Sequence, residues 1–153
     1  MASGLVLEGG AMRGLFTAGV LDVLMENNVT FDVAVGVSAG AAFGVNMKSK
    51  QIGRVLRYNL RFAGKPYYAS WKSWRRSGNL YAENFCFHII PEKLDVFDKK
   101  TFMANPMEFW CVATDAATGE PVYHKLRDAG YVDLEWIRAS SSIPFFAHPV
   151  AIK

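Results

Sequence analysis

The chain has 153 residues, of which 51% are hydrophobic and 20% charged, so it is long enough for one domain over residues 1–153 and is not a disordered chain. Seventeen Lys and Arg residues against 14 Asp and Glu residues give a formal charge of +3, which is too small to argue for a nucleic-acid partner. The two cysteines, Cys86 and Cys111, are too few for a disulfide framework or a four-thiolate metal site, and we expect both to be reduced interior thiols.

No stretch of the sequence is long and apolar enough to cross a bilayer. The longest uncharged apolar-rich stretch runs from Ala34 to Met47, which is shorter than the roughly 18 apolar residues required, and glycines interrupt it. The first residues carry no basic flank and only a short apolar run, which argues against a signal peptide. The sequence therefore predicts a cytoplasmic protein, with peripheral contact at a membrane surface left open.

The first 37 residues have the pattern of a βαβ unit with parallel strands. Leu5-Val6-Leu7 is an apolar run that stops at Gly9-Gly10, as a buried strand does before a turn. From Gly14 the apolar period becomes helical, Asn27-Asn28 is predicted to end that helix, and residues 31–37 are predicted to be a second buried strand. The apolar stripe of the helix is expected to consist of Leu15, Phe16, Gly19, Val20, Val23 and Leu24.

The middle of the chain predicts two more helices. Small residues from Ala39 to Val45 follow the second strand and allow a helix to pack closely on the sheet. Residues 51–63 have the pattern of an amphipathic helix, with its apolar residues toward the core and its arginines toward solvent. The inward set is Ile52, Val55, Leu56, Leu60 and Ala63, and the outward set is Arg54, Arg57 and Arg61.

The last third of the chain predicts a pair of strands between two capped helices. Residues 108–114 and 122–126 are predicted to be strands joined by a turn at 117–121. Asp98 is predicted to cap a short helix before these strands, and Asp133 a helix after them. Strands and helices in this order indicate an α/β fold with a mainly parallel sheet.

A serine between two glycines marks the end of the second predicted strand. Gly36-Val37-Ser38-Ala39-Gly40 fits the pattern G-x-S-x-G at a strand-to-helix junction, which is the setting of a nucleophile elbow. Such a turn presents the serine hydroxyl at the carboxyl end of the sheet, beside a helix N-terminus that favours developing anions. The alternative is a tight turn without chemistry. We predict that Ser38 is the nucleophile and that Gly36, Val37, Ala39 and Gly40 form the elbow.

A glycine-rich turn, residues 9–14, follows the first predicted strand and exposes successive backbone N–H groups at a helix N-terminus. A dinucleotide fingerprint requires glycine in place of Ala11, and a phosphate-binding loop requires lysine in place of Leu15, so the sequence fits neither. An oxyanion hole is the remaining interpretation, because neighbouring parallel strands bring this turn close to Ser38. The predicted donors are the amides of Gly9, Gly10, Ala11, Met12, Arg13 and Gly14.

At these motifs the sequence resembles the patatin-like phospholipase family. The similar blocks occur in family order and are residues 5–14 with Gly19-Val20-Leu21, residues 36–40, Ala113-Thr114-Asp115 with Thr118-Gly119, and residues 138–144. The resemblance implies a bacterial member with a three-layer α/β/α fold that hydrolyses acyl esters of lipids, as a phospholipase A or lysophospholipase does. It implies a Ser/Asp dyad without histidine, with Ser38 as nucleophile and the amides of residues 9–14 as oxyanion donors. It also implies a lipid or acyl-ester substrate and neither a metal nor an organic cofactor.

The sequence departs from the family pattern in two places. Ala11 stands in a run of glycines, and its methyl group costs about 1 kcal/mol where the site requires a positive φ. The family places its dyad aspartate in an Asp-Gly-Gly or Asp-Gly-Ala motif after a segment like 144–150, and this sequence contains no Asp-Gly dipeptide. We therefore expect the N-terminal part of the domain, cut short at its C-terminal side, with the aspartate beyond Lys153 and little activity in the chain by itself.

A Ser/Asp/His triad is an alternative that we discount. Ser38, Asp115 and His148 occur in the order of an α/β-hydrolase triad, but those folds place the nucleophile after several strands. Asp115 is better explained as a carboxylate that caps the following turn, and His148 as a residue that packs locally. His88 and His124 are isolated in sequence and show no metal-ligand spacing.

Other functions and partners remain open from the residues alone. The glycine-rich turn is also compatible with a module that binds an anionic ligand or lipid without turnover, and the elbow with an esterase of small soluble esters. Arg13 either orients the turn, binds a phosphate or carboxylate, or is an ordinary surface cation. The segment Tyr67–Arg76 mixes Trp and Tyr with Lys and Arg, as membrane-interface segments do, and the arginines of 51–63 extend it. The alternative is a solvated helix beside an aromatic flap.

Overall fold

The structure is a computed structural model that describes residues 2–152. Its centre is a four-stranded sheet in the order β1-β2-β3-β4. The strands are β1 (Gly4–Leu7), β2 (Val33–Val37), β3 (Glu108–Thr114) and β4 (Pro121–Leu126). The first three strands are parallel, with Leu7 beside Gly36 and Val37 beside Val112, and β4 is antiparallel to β3. The carboxyl ends of β1 and β2 therefore lie side by side, as the βαβ pattern predicts.

Helices flank this sheet and complete the α/β/α arrangement expected from the sequence. They are α1 (Gly14–Glu26), α2 (Ala39–Lys48), α3 (Arg54–Phe62), α4 (Trp71–Ser77), α5 (Lys99–Ala104) and α6 (Tyr131–Ser140). A 3₁₀ turn at Ala11–Arg13 precedes α1, and a π-helical segment covers Phe85–Leu94. No helix among the described residues is long and apolar enough to span a membrane.

The main core lies between one face of the sheet and the helices α2 and α6. Leu7, Ala34, Phe109 and Cys111 point to this face and are buried together with Ile137 of α6. The opposite face is more open, since the Val6 side chain is 81% exposed. The continuous apolar runs in the sequence predict strands that are buried on both faces. In the structure only alternate strand residues are buried. A strand directs successive side chains to opposite faces of the sheet, and only one of these faces is covered by the main core.

The buried stripe of α1 differs from the predicted one. Gly14, Ala18 and Leu21 are buried, whereas Phe16 is 81% exposed. The reason is the close approach of α2, because a Cβ atom added to Gly14 would lie 2.8 Å from the Cβ of Ala39. Small residues thus form the contact face, and the larger apolar residues lie beside it. The predicted end of the helix is confirmed, with Asn28 in the left-handed region at φ 55°.

The predicted faces of α3 are correct at Val55, Arg57 and Arg61 and wrong at the other positions. The buried residues are Arg54, Val55, Tyr58, Asn59 and Phe62, whereas Ile52, Leu56, Leu60 and Ala63 are exposed. Arg54 is buried because its guanidinium donates to the Asp95 carbonyl and to Asn46 Oδ1, and it pairs with the Asp95 carboxylate at 3.3 Å. Its charge is therefore neutralised inside the protein, which permits burial of an arginine.

The capping predictions have different outcomes at the two helices. Asp98 caps α5 as predicted, because its Oδ1 accepts a hydrogen bond from the Thr101 amide at 2.9 Å. Asp133 is not an N-cap, since α6 begins two residues earlier, after Gly130. Its Oδ2 instead accepts hydrogen bonds from three amides of the preceding loop, at Arg127, Asp128 and Ala129. The carboxylate therefore stabilises the connection from β4 to the helix.

Candidate active site

Ser38 occupies the junction between β2 and α2 in a strained backbone conformation. Its φ is 52° and its ψ is −119°, and a conformation of this kind costs on the order of 1–3 kcal/mol in a non-glycine residue. The flanking glycines permit the sharp turn. A Cβ atom on Gly36 would lie 2.6 Å from the Gly40 carbonyl oxygen, and one on Gly40 would lie 2.7 Å from the Glu8 carbonyl oxygen. A sharp, strained strand-to-helix turn of this kind is the backbone geometry that a nucleophile elbow requires.

The glycine-rich turn lies directly against this elbow. A Cβ atom on Gly9 would lie 3.1 Å from the Cβ of Ser38, so the two segments approach each other closely at this glycine. Ala11 in the same turn has a φ of 48°, a backbone conformation that favours glycine. The two motifs that the sequence singled out therefore meet at the carboxyl edge of the sheet.

The amides of the turn are not all free to bind a ligand. The Arg13 amide donates to the Gly10 carbonyl at 3.0 Å, and the Gly14 amide donates to carbonyls of the same turn. The amides of Gly10 and Ala11 have no acceptor among residues 2–152, which leaves them available for an oxyanion. The Arg13 side chain is exposed at the surface.

A serine from the other end of the chain supports the elbow. The Ser38 amide donates a hydrogen bond of 2.7 Å to Ser140 Oγ, and the Ser140 hydroxyl donates to the Val112 carbonyl at 2.6 Å. Ser140 thus connects the elbow to β3 through the last residue of α6. Ser140 lies in one of the blocks that resemble the family, but the sequence predicts no role for it, because a contact across 102 residues leaves no local pattern.

A cavity of about 380 Å³ extends from Ser38 into the core. Ala11 and Met12 of the glycine-rich turn line it together with Ser38, and most of its other walls are apolar, among them Phe43, Ile90, Phe102 and Leu134. This volume is within the range of small-molecule sites. The Ser141 hydroxyl also lines the cavity and is a buried polar group without a hydrogen-bond partner among residues 2–152. The mostly apolar lining suits a hydrocarbon chain.

Charged groups form a network on one wall of this cavity. The Arg138 guanidinium pairs with Glu135 at 2.5 Å and with Glu83, and His88 Nε2 lies 3.0 Å from Glu135. Glu83 also accepts a hydrogen bond from the Asn79 side chain at 2.6 Å. The network ties α6 to the π-helical segment, and sequence reasoning missed it because its members are distant along the chain.

The structure does not assemble the Ser38/Asp115/His148 triad. The Asp115 carboxylate accepts hydrogen bonds from the Ala117 and Thr118 amides at 2.8 and 2.9 Å, which lower the pKa of Asp115 below its ordinary value. His148 lies against Gly78, and its amide donates to Asn79 Oδ1 at 2.8 Å. Among residues 2–152, no side chain forms a hydrogen bond to the Ser38 hydroxyl. Asp115 is the turn cap that the sequence predicts.

The thiols and imidazoles occupy separate structural positions. Cys86 and Cys111 are unpaired, and burial raises the pKa of each thiol to about 12. His124 stacks on Trp136 with ring centroids 4.6 Å apart, and its Nε2 lies 3.1 Å from Asp133. Residues 2–152 contain no group of three or more His, Cys, Asp or Glu side chains arranged to hold a metal ion.

Comparisons with known proteins agree with these motifs. A family model described as patatin-like phospholipase matches residues 5–153. The chain is 31% identical over 147 residues to "Uncharacterized protein YjjU" of Escherichia coli K12. This alignment covers 93% of the chain and 40% of that protein. The chain is also 29% identical over 157 residues to "Lysophospholipase nte1" of Aspergillus fumigatus and to the protein of the same name from Neosartorya fischeri. Each of these alignments covers 97% of the chain and 10% of the relative. The chain thus spans less than half the length of these curated relatives.

Proposed function

This chain belongs to the patatin-like phospholipase family, and from that premise we propose that it carries the nucleophile and oxyanion hole of a serine acyl hydrolase that cleaves lipid esters. The observation that carries the proposal is the contact between the Ser38 elbow and the glycine-rich turn, next to an apolar cavity. The names of the relatives from Aspergillus and Neosartorya support a lysophospholipid-like substrate. The apolar walls support an acyl chain as the part of the substrate that the cavity holds.

The first half of the reaction is attack by Ser38 on the ester carbonyl. The Ser38 oxygen forms a bond to the carbonyl carbon, its proton passes to a base, and the carbonyl oxygen becomes an oxyanion. The amides of Gly10 and Ala11 donate hydrogen bonds to this oxygen, and loss of one such donor typically lowers turnover by about 100- to 1000-fold. Collapse of the intermediate breaks the ester bond, and the base returns its proton to the departing alcohol.

The second half of the reaction releases the acyl group. Water gives a proton to the same base and attacks the acyl carbon. The bond from that carbon to the Ser38 oxygen then breaks, and the base returns the proton to this oxygen. The products are a free fatty acid and the regenerated serine. By resemblance to the family, the base is an aspartate in an Asp-Gly-Gly or Asp-Gly-Ala motif, which is not among residues 1–153. The reaction as proposed requires neither a metal ion nor an organic cofactor.

Covalent labelling tests the role of Ser38 directly. A fluorophosphonate probe should modify the protein at Ser38, because the elbow exposes the hydroxyl and the neighbouring amides stabilise the developing charge. Ser38→Ala should remove labelling and leave the thermal midpoint within a few degrees of the parent value. Ser142→Ala is the matched control, since it deletes a hydroxyl that bonds locally to the Arg138 carbonyl. Labelling that persists in Ser38→Ala would refute the proposal.

Chain-length preference separates a lipid hydrolase from an esterase of small soluble esters. The active enzyme should favour long p-nitrophenyl acyl esters over the acetate, because each methylene buried in the apolar cavity contributes about 0.8 kcal/mol. Preference for the acetate would indicate the small-ester esterase. Tight retention of a fatty acid with no Ser38-dependent turnover would indicate the binding module.

A further inference from the structure

Four aromatic residues from two distant segments meet at the surface beside the cavity. Trp71 and Trp74 of α4 lie edge to face with ring centroids 5.7 Å apart, and Trp71 lies 6.3 Å from Phe146. The Trp74 indole N–H donates to the Phe145 carbonyl at 2.8 Å, which ties α4 to the segment after α6. We call Trp71, Trp74, Phe145 and Phe146 the aromatic patch.

Both the backbone conformation and the solvent exposure of Phe145 are unfavourable. Its side chain is 90% exposed, and its φ of 69° lies in the left-handed region that L side chains rarely adopt. Folding gains almost nothing from this phenyl ring in water, and the backbone conformation costs free energy. Trp71 is 64% exposed in the same patch. Large apolar side chains displayed together in this way indicate an interaction surface.

The cations around the aromatic patch are unpaired. Lys72, Arg75 and Arg76 are exposed on α4, form no ion pair among residues 2–152, and share their helix with no acidic residue. Two of the α3 arginines differ, because Arg54 is buried and Arg57 pairs with Asp95 at 2.8 Å. The unpaired positive charge on the helix that carries Trp71 and Trp74 therefore comes from Lys72, Arg75 and Arg76.

The aromatic patch is continuous with the cavity that Ser38 lines. Phe146 contributes to both, and Ile143 and Ala147 of the same segment are also in the cavity wall. A lipid surface in contact with the patch would therefore lie beside the entry to the cavity. Unpaired cations next to exposed Trp and Phe match a bilayer with anionic headgroups, because cations are attracted to the phosphates and aromatic rings insert at the headgroup level.

We propose that the aromatic patch and the three α4 cations form a docking surface for an anionic lipid bilayer, which presents ester substrate to the cavity of Ser38. The proposal rests on the proposed function for the identity of the substrate. Docking uses Lys72, Arg75 and Arg76 to attract the headgroups and Phe145, with Trp71, to enter the interface. Apart from Phe146, which also lines the cavity, the surface lies on residues that the reaction at Ser38 does not otherwise use.

Vesicle binding tests the electrostatic half of the proposal. The protein should co-sediment with vesicles of phosphatidylcholine and phosphatidylglycerol in a 7:3 ratio and bind pure phosphatidylcholine at least tenfold more weakly. The triple variant Lys72→Glu/Arg75→Glu/Arg76→Glu should bind the mixed vesicles about 100-fold more weakly, since each cation near an anionic surface contributes about 1 kcal/mol. Lys50→Glu/Lys100→Glu/Arg127→Glu reverses three exposed cations elsewhere on the protein, with the same change in net charge, and should retain most binding.

A single aromatic substitution tests the insertion half. Phe145→Ala should weaken binding to the mixed vesicles about tenfold and leave the thermal midpoint unchanged, because the ring is exposed in the folded protein. Phe16→Ala removes another highly exposed phenylalanine and should leave vesicle binding unchanged. Equal binding by both triple variants, or by the two phenylalanine variants, would overturn the proposal.

The outcome for docking is separable from the outcome for catalysis. Labelling of Ser38 by a soluble fluorophosphonate needs no vesicle, so normal labelling with absent vesicle binding would refute the docking surface alone. Vesicle binding that requires the α4 cations, without labelling of Ser38, would support the docking surface and refute the hydrolase.

Discussion

Ser38 is held by contacts that reach α6 and β3. Its amide bonds to the Ser140 hydroxyl at the end of α6, and that hydroxyl bonds to the Val112 carbonyl of β3. The elbow itself is strained, with a φ of 52°. A hydrogen bond to the amide of a strained residue restricts its backbone, so Ser140 is expected to orient the Ser38 hydroxyl without touching the substrate.

Replacement of Ser140 tests this positioning role. Ser140→Ala should slow fluorophosphonate labelling of Ser38 about tenfold, because loss of one hydrogen bond to a partly buried amide costs about 1–3 kcal/mol. Ser140→Thr keeps a hydroxyl and should recover much of the labelling rate. Ser142→Ala is the control, since its hydroxyl bonds within its own turn. A Ser140→Ala protein with the parent labelling rate would show that the hydrogen bond has no influence on Ser38.

Ala11 is a second residue whose backbone departs from its intrinsic preference. Its φ of 48° is left-handed, so the methyl group that the sequence analysis flagged does carry a steric cost. Ala11→Gly should raise the free energy of unfolding by up to about 1 kcal/mol in urea denaturation, since strain relief is partly offset by the greater entropy of the unfolded chain. A decrease in stability would mean that the alanine methyl contributes packing that outweighs its strain.

At the scale of elements, α3 shows how a buried arginine overrides an amphipathic pattern. The helix directs Val55, Tyr58 and Phe62 to the core, and Arg54 shares that side because Asp95 and Asn46 satisfy its guanidinium. Leu60 is consequently 75% exposed. The pattern of charges and leucines predicts the opposite orientation, since it contains no information about Asp95, a partner 41 residues away.

Two truncations on α3 distinguish these orientations. Phe62→Ala should lower the free energy of unfolding by about 3–5 kcal/mol, because it opens a space in the core. Leu60→Ala should change it by less than about 0.5 kcal/mol, because most of that side chain is in water. Urea denaturation followed by circular dichroism measures both. A larger loss from Leu60→Ala than from Phe62→Ala would restore the orientation predicted from the sequence.

The ion-pair network of α6 makes stability depend on pH. Burial raises the pKa of Glu135, but its hydrogen bonds to Arg138 and the charge of Arg138 outweigh burial and leave the pKa below its ordinary value. A carboxyl with a lowered folded-state pKa stabilises the fold above its unfolded pKa of about 4.3, and that contribution disappears as the pH falls.

Glu135→Gln should therefore be less stable than the parent protein at pH 7 and should lose less stability between about pH 5 and about pH 3. Thermal midpoints across this range provide the measurement. Glu92→Gln, at an exposed position, should follow the parent curve. Parallel curves for Glu135→Gln and the parent would exclude a contribution from this carboxyl.

At the scale of the whole molecule, residues 2–152 bring together Ser38, the glycine-rich turn and the apolar cavity. No carboxylate or imidazole among them forms a hydrogen bond to the Ser38 hydroxyl. General base catalysis commonly contributes about 100- to 10,000-fold to a rate. Residues 1–153 should accordingly hydrolyse p-nitrophenyl butyrate at no more than about 1% of the rate of a patatin-like enzyme that carries the Asp-Gly motif. Rapid turnover by residues 1–153 that Ser38→Ala abolishes would reveal a base within them.

The sequence by itself determined the features that depend on neighbouring residues. The strand–turn–helix units around residues 9–14 and 36–40, the Asp98 cap and the Asp115 turn were all predicted from a few adjacent residues, because backbone sterics and local hydrogen bonds decide them. The family followed from the same blocks. The chemical roles assigned to Ser38 and to the amides of residues 9–14 stay predictions.

Only the tertiary structure decided which faces are buried, what supports Ser38 and where the unpaired cations lie. The small-residue face of α1, the buried Arg54 and the Ser140 bridge each depend on a partner far away in sequence. The energy of such contacts comes from the exclusion of water and from the pairing of buried polar groups. Both arise only when remote segments meet, so no local pattern of residues records them.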